Sequence, residues 1–263
     1  MKKKTLGFAL GAGGSRGVAH VGFLKAMEEA ELYPDYISGC SMGSVIGAGY
    51  ACGLTPDEMF KLVKGLRMLD LIGATGKRGG LFDTKKIRKL LEKHLGDPDF
   101  KDLKIPYSCV AVDLNTQSLI EFKEEGKVLD GVVASSCIPA IFAPIHRNGM
   151  RLIDGGVSER VPVKQVKAMG ADVVVCVDVL GHRDTTEIKQ TTLGVLLETL
   201  DLMDNARTER RRKESEDIID FWLEPELGNM SQYSLKQVAF AYEKGYEIGK
   251  VYAPKIKRAL EEK

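Results

Sequence analysis

Three short stretches of this chain carry residue types able to do chemistry. The first is Gly39-Cys40-Ser41-Met42-Gly43, a G-x-S-x-G pattern. Glycines on either side of a serine allow a tight strand-to-helix turn that exposes the hydroxyl as a nucleophile. A helix beginning just after Ser41 would also aim the Met42 N–H at the place where an oxyanion develops. The second is Gly11-Ala12-Gly13-Gly14-Ser15-Arg16-Gly17. A dinucleotide fingerprint counted from Gly11 meets Arg16 at its third glycine, and no Gly-Lys-Ser/Thr follows to make a phosphate-binding loop. What remains is either a nest of backbone N–H groups that holds an anion or simply a tight turn, and the residues leave both open. The third is Asp154-Gly155-Gly156, a candidate catalytic carboxylate at a strand end, although turn chemistry alone favours a simple turn.

The elements around these stretches alternate between strand and helix. Thr5–Leu10 reads as a buried strand that ends in the glycine-rich segment, and a helix over Gly17–Glu31 follows. A second strand ends near Tyr36–Ser38, and Ser41–Cys52 is small and apolar, as a helix pressed on a sheet must be. Thr55-Pro56-Asp57-Glu58 is a helix start with Thr55 as N-cap. Gly73–Gly80 reads as a loop and Thr84–Leu95 as an amphipathic helix. Ser108–Asp113 and Ser118–Phe122 read as strands joined by a turn at Asn115-Thr116, and Arg151–Ile153 as a short strand. Val173–Val179 is the β-branched run of a central parallel strand. Thr192–Lys213 is a helix with an apolar beginning and a basic end, followed by a strand over Ile218–Leu223 and a helix over Ser234–Leu260. The alternation predicts a three-layer α/β/α sandwich with a mostly parallel central sheet, in one domain spanning residues 1–263.

Composition narrows the function classes. The formal net charge of +1 argues against nucleic acid as a partner. No stretch approaches the roughly 18 apolar residues of a membrane-spanning helix, so any membrane contact would be peripheral. The Met1–Lys4 cations and the short apolar run after them fit a first strand better than a signal peptide. Five cysteines, Cys40, Cys52, Cys109, Cys137 and Cys176, lie in apolar surroundings without metal-type spacing. They read as buried small hydrophobes in a reducing, cytoplasmic setting.

Taken together and in order, these motifs resemble the bacterial patatin-like phospholipases. Leu10–Leu24 looks like that family's oxyanion segment, Gly39–Gly43 like its nucleophile elbow, and Asp154-Gly155-Gly156 like its Asp-Gly-Gly/Ala motif. Ile105-Pro106, Ala111–Thr116 and Ala134–Phe142 follow the family pattern between them, so the resemblance runs from about Thr5 to Val163 and is thin beyond Val179. The chain departs from the pattern twice. Ala12 stands where the family usually has a glycine, which preserves an oxyanion hole provided the residue needs no positive φ. Ala140 also stands where glycine is usual, in a wall of the site.

The resemblance implies a serine acyl hydrolase of the phospholipase A, lysophospholipase or esterase type, working through a Ser41–Asp154 dyad. Asp154 would take the Ser41 proton during attack and then activate water on the acyl-enzyme. Backbone N–H groups of Gly13 and Gly14, with Ser15 as a further candidate, would hold the oxyanion, and Arg16 would orient the nest or add positive potential. The implied partner is a lipid or other acyl ester, with no metal or cofactor. Ser41, Asp154 and His182 also stand in the chain order of an α/β-hydrolase triad, but the elbow arrives after a single βα unit, which favours the dyad. A non-catalytic regulatory or lipid-binding member of the same fold and a nucleotide binder are the competing classes. Leu71-Ile72 and Leu81-Phe82 flank Gly73–Gly80 as a candidate lid, whose Lys77-Arg78 would suit anionic lipid. The Arg207–Lys213 run reads as a solvated helix end.

Overall fold

The structure, a computed structural model, describes residues 3–73, 79–181 and 191–262. His182, Lys77 and Arg78 lie outside the described residues.

The first strand, β1 (Leu6–Leu10), leads through a 3-10 turn (Gly14–Val18) into α1 (Ala19–Glu29). Next, β2 (Tyr36–Cys40) runs directly into α2 (Met42–Cys52). Thr55 caps α3 (Pro56–Lys64) through a reciprocal box with Glu58, as its sequence predicts. A short α4 (Met68–Leu71), β3 (Gly80–Phe82) and α5 (Lys85–Leu95) follow. Then come β4 (Tyr107–Asp113), β5 (Ser118–Phe122), α6 (Val128–Ser135), β6 (Ala140–Phe142), β7 (Ile145–Arg147) and β8 (Met150–Asp154). The remainder is α7 (Val163–Ala168), β9 (Val173–Val177), α8 (Thr192–Glu214), β10 (Phe221–Leu223) and α9 (Val238–Glu261).

The main sheet has the order β10-β9-β1-β2-β4-β8-β7, with β5 also paired to β4. The five strands from β10 to β4 are mutually parallel, whereas β5 and β8 run antiparallel to β4 and β7 runs antiparallel to β8, so the sheet is mainly parallel with a mixed edge. Its parallel strands are buried on both faces, which is why they read as continuous apolar runs. Leu6, Phe8 and Leu10 of β1 and Val173, Val175 and Val177 of β9 point into one core, while Ala9, Val174 and Cys176 point into another beneath α7. On the larger core, α1 and α9 cross with their backbones almost touching, because Gly22 and Gly245 meet the opposite chain where a Cβ would collide with a carbonyl.

One detail of the register positions the site. Five residues of β4, Cys109–Asp113, pair with β5 along one edge. The other edge is shared end to end. β2 pairs with β4 as far as Cys40 opposite Val110, and β8, running the other way, ends with Asp154 opposite Ala111. Two strand ends pointing at each other therefore meet above adjacent residues of β4.

The sequence reading misses α4, α6, α7, β3, β6 and β7, all short and with few turns of periodicity. It also places Ile218 in a strand, whereas Ile218 belongs to a 3-10 turn and β10 begins at Phe221. No helix among the described residues is long and apolar enough to cross a membrane. Cys40, Cys109, Cys137 and Cys176 are buried and Cys52 half-buried, and all five are free thiols.

Candidate active site

Ser41 occupies the turn between β2 and α2 with φ 51° and ψ −121°, a conformation that a non-glycine residue adopts only under strain. The surroundings hold it there. Its N–H donates to Ser135 Oγ at 2.9 Å, and its carbonyl accepts from the N–H groups of Ser44 and Val45. The flanking glycines are required by close approach: a Cβ on Gly43 would collide with the Leu10 carbonyl, and one on Gly39 would collide with the Gly43 backbone. The start of α2 is thereby pressed against the end of β1.

Asp154 ends β8 and is 5% exposed. Its Oδ1 accepts the Gly156 N–H at 2.8 Å, and its own N–H donates to the Cys137 carbonyl. Burial pushes its carboxyl up from the usual value to about 6, opposed first by a hydrogen bond with the Ser41 side chain and then by the Gly156 N–H. The carboxyl of Asp154 and the side chain of Ser41 are thus neighbours, brought together by the end-to-end strands on β4. Gly155 opens the 3-10 turn after Asp154, and its carbonyl accepts from Ser158 and Glu159.

In the glycine-rich segment the hydrogen bonds separate structural donors from free ones. Gly11 N–H donates to Val177 O, Ala12 N–H to Arg160 O, Ser15 N–H to Gln232 O, and Arg16 N–H to Gly13 O. Ser15 is therefore not available as an oxyanion donor, which corrects the sequence expectation, and the same holds for the Ala12 amide. The N–H groups of Gly13, Gly14 and Met42 have no acceptor among the described residues. Gly14 has φ 52° and lies so close to Gln232 that a Cβ would collide with its carbonyl. Ala12 takes no positive φ, so alanine fits there. Ala140 does, at φ 66°, a backbone that favours glycine.

Arg16 is buried, and its guanidinium donates to the carbonyls of Leu180 and Gly228, at 3.3 and 2.8 Å. It ties the segment to the chain after β9 and before α9. Gly17 sits in the same 3-10 turn, against Met42. His20, on α1, is fully buried with Nε2 2.8 Å from the Gly11 carbonyl, and burial lowers its pKa to about 4, which keeps the ring neutral.

Three contributors escape the sequence reading. Ser135 supports the elbow. Arg160 binds Asp178 and Asp204 through its guanidinium, at 2.7 and 3.0 Å, and its carbonyl holds Ala12. Arg207 of α8 reaches the Gly156 carbonyl at 3.4 Å and also Asp204. The basic end of α8 is thus only partly solvated: Arg210 and Lys213 pair with exposed carboxylates, but Arg207 and Arg211 turn inward, Arg211 onto Glu159. The signal was the pair Glu159-Arg160 in an otherwise apolar stretch, which needed compensating charges from elsewhere.

Ser41 and Met42 lie on the floor of a cavity of about 1070 Å³. Its walls are mainly apolar, drawn from α2, α3, α5 and the first half of α8, together with Leu71, Ile72, Leu81 and Phe82. The two apolar flanks of the glycine loop thus face the same space as the serine.

A strained serine beside a buried carboxylate, with free N–H groups in a glycine-rich segment, is the arrangement that the geometry presents, and comparison with known proteins gives the family and the fold. The patatin-like phospholipase family model matches residues 8–167. The chain belongs to the patatin-like phospholipase family. Among patatin-like relatives, lysophospholipase nte1 of Neurospora crassa is 31% identical over 189 residues, covering 70% of this chain and 12% of that protein. An uncharacterized NTE family protein of Mycobacterium tuberculosis is 32% identical over 176 residues, covering 66% of this chain and 48% of its own. The chain thus spans about an eighth of the fungal relative and about half of the mycobacterial one. In fold it is similar to VipD from Legionella pneumophila, with a TM-score of 0.64 at 14% identity, covering 97% of this chain and 67% of that one. Full-length ExoU of Pseudomonas aeruginosa gives a TM-score of 0.54 at 13% identity, covering 97% and 52%.

Proposed function

We propose that the protein is a lipid acyl hydrolase that cleaves carboxylic esters through a Ser41–Asp154 dyad, with residues 1–263 acting as one catalytic unit. The observation that carries this reading is Ser41 itself, held at positive φ in the lining of an apolar cavity, with its side chain near enough to Asp154 to lower that carboxyl's pKa against burial. A protein that only bound lipid would have no use for a strained serine beside a carboxylate of raised pKa.

In the first half-reaction the Ser41 hydroxyl adds to the ester carbonyl carbon while its proton passes to Asp154. The negative charge gathers on the carbonyl oxygen, which accepts from the Gly13, Gly14 and Met42 N–H groups; each such donor is worth about 3 kcal/mol in the transition state. The tetrahedral species collapses, the alcohol leaves with the proton from Asp154, and the acyl group stays on Ser41. Water then adds to the acyl carbon, giving its proton to Asp154, and collapse releases the carboxylic acid as Ser41 regains its proton. A carboxylate with a pKa near 6 suits both roles, since it is ionised at neutral pH yet holds a proton far better than an exposed aspartate.

The cavity's apolar walls fit an acyl chain, and the names of the lysophospholipase relatives and the family description support a phospholipid or lysophospholipid substrate. Fluorophosphonate labelling and hydrolysis of a p-nitrophenyl ester series test the reading. Wild type should label and turn over, Ser41→Ala and Asp154→Asn should do neither at a measurable rate, and His182→Ala should keep most of its activity. A His182→Ala protein that is folded yet as inactive as Ser41→Ala would replace the dyad with a triad.

A further inference from the structure

The first half of α8 is apolar on two opposite sides. Leu193 and Leu197 face the cavity, while Val195, Leu196, Leu202 and Met203 stand in solvent, the last two 71% and 59% exposed. A surface helix ordinarily turns polar residues outward, and a contiguous apolar patch marks a surface that meets something. Leu193 and Leu81 line the cavity and are also exposed, so they lie at its opening. Leu69 of α4, in sequence between the cavity-lining Leu66 and Leu71, is 66% exposed.

Charge accompanies this rim. The inner side of α5 lines the cavity with Ile87, Leu90 and Leu91, and its outer side exposes Lys85, Lys86, Lys89 and Lys93 against a single acid, Glu92. The whole chain carries a formal net charge of only +1, so this is a local concentration of positive charge. Lys86 Nζ donates to the Leu69 carbonyl at 2.8 Å, which ties α5 to α4, whose Leu71 lines the cavity. Leu81 and Leu193 at a cavity mouth, with a row of lysines on the outer side of a helix that lines the same cavity, are the composition of a surface that lies in the interfacial layer of a membrane.

We propose that the apolar rim of the cavity, formed by the first half of α8 with Leu81, docks on a lipid surface bearing anionic lipid, which the lysines of α5 recognise. An acyl chain then passes from the lipid layer to Ser41 without crossing water. A second copy of the chain would present the same rim but no opposite charge to the lysine edge. The choice of a lipid occupant rests on the acyl hydrolase reading, so binding is measured without turnover.

The test uses Ser41→Ala protein floated with vesicles of phosphatidylcholine, alone or mixed with phosphatidylserine. The protein should bind the mixed vesicles about tenfold more tightly, and added salt should weaken that preference. Leu202→Glu/Met203→Glu in the same background should lower the partition at least tenfold, while the same pair in otherwise wild-type protein leaves turnover of a soluble short-chain ester unchanged, since neither side chain lines the cavity. Lys85→Glu/Lys86→Glu/Lys89→Glu should abolish the preference for phosphatidylserine. Equal partition of parent and Leu202→Glu/Met203→Glu, or no binding to either vesicle, overturns the proposal. So does a dimer in light scattering that Leu202→Glu/Met203→Glu dissociates, which would assign the face to a second copy. Vesicle binding as described by a protein whose wild type hydrolyses no ester would leave the docking surface standing and remove the acyl hydrolase reading.

Discussion

Replacing Asp154 by asparagine should abolish turnover and at the same time stabilise the protein, by an amount that depends on pH. Burial raises the carboxyl from 3.8 to about 6. A pKa raised by one corresponds to about 1.4 kcal/mol, so the folded and unfolded chains differ by about 3 kcal/mol in their affinity for this proton. The sign follows from linkage: the folded protein binds the proton more tightly than the unfolded chain. The stabilisation from this group is complete below about pH 4 and is lost as pH rises through about 6. Asparagine cannot ionise and keeps its contribution throughout. Its amide oxygen can still accept the Gly156 N–H, and the charge-assisted part of that bond in wild type is already contained in the pKa of about 6. The stability difference between Asp154→Asn and wild type should therefore grow by about 3 kcal/mol from pH 4 to pH 7. For a chain of this size that is about 6–12 °C in the difference of melting temperatures. Thermal unfolding of both proteins across that range measures it, and the difference between them cancels every other titrating group. The kcat/KM of wild type should fall tenfold per pH unit below about pH 6. A difference flat with pH, or an acid limb near pH 4, would show that Asp154 is neither desolvated nor the base.

Three further predictions concern the backbone. Ser41→Gly should lose all ester turnover yet raise stability by about 1–2 kcal/mol in urea unfolding, because glycine accepts the positive φ, whereas Ser41→Ala should lose turnover without that gain. Gly14→Ala, with its Cβ forced onto the Gln232 carbonyl at φ 52°, should cost about 2 kcal/mol of stability and lower kcat about 100-fold with KM little changed. Ala140→Gly should gain about 1 kcal/mol by calorimetry, since alanine now holds φ 66°.

The parts of the fold that could be read in advance are those whose local chemistry is self-contained. Thr55 and Glu58 close a capping box within four residues, and Val173–Val177 is buried on both faces, so each announces itself. The sandwich and its mainly parallel sheet follow from such runs. The short helices α4 and α7 and the three-residue strands β3, β6 and β7 have too little periodicity to register, and exist because tertiary neighbours supply their partners. The site divides in the same way. Ser41, Asp154 and the glycines stand in recognisable spacing, and their family resemblance set them in order. Which amides of the segment are free was not legible, because Ala12 and Ser15 are consumed by Arg160 and Gln232, residues far along the chain. The inward turn of Arg207 and Arg211 was hidden for the same reason: a run of cations shows its charge, and only the fold shows the buried Asp204 and Glu159 that it answers.

The end-to-end meeting of β2 and β8 along one edge of β4 makes reactivity a reporter of assembly. Ser41 and Asp154 are more than a hundred residues apart in sequence, and neither strand touches the other until β4 has been threaded against both. Long-range pairings of this kind form late, after their loop-closure entropy has been met. On the proposed dyad, a nascent or partly unfolded chain would carry the serine without its base and be silent toward esters. Covalent labelling of Ser41 during refolding would then time the docking of β2 and β8 along β4.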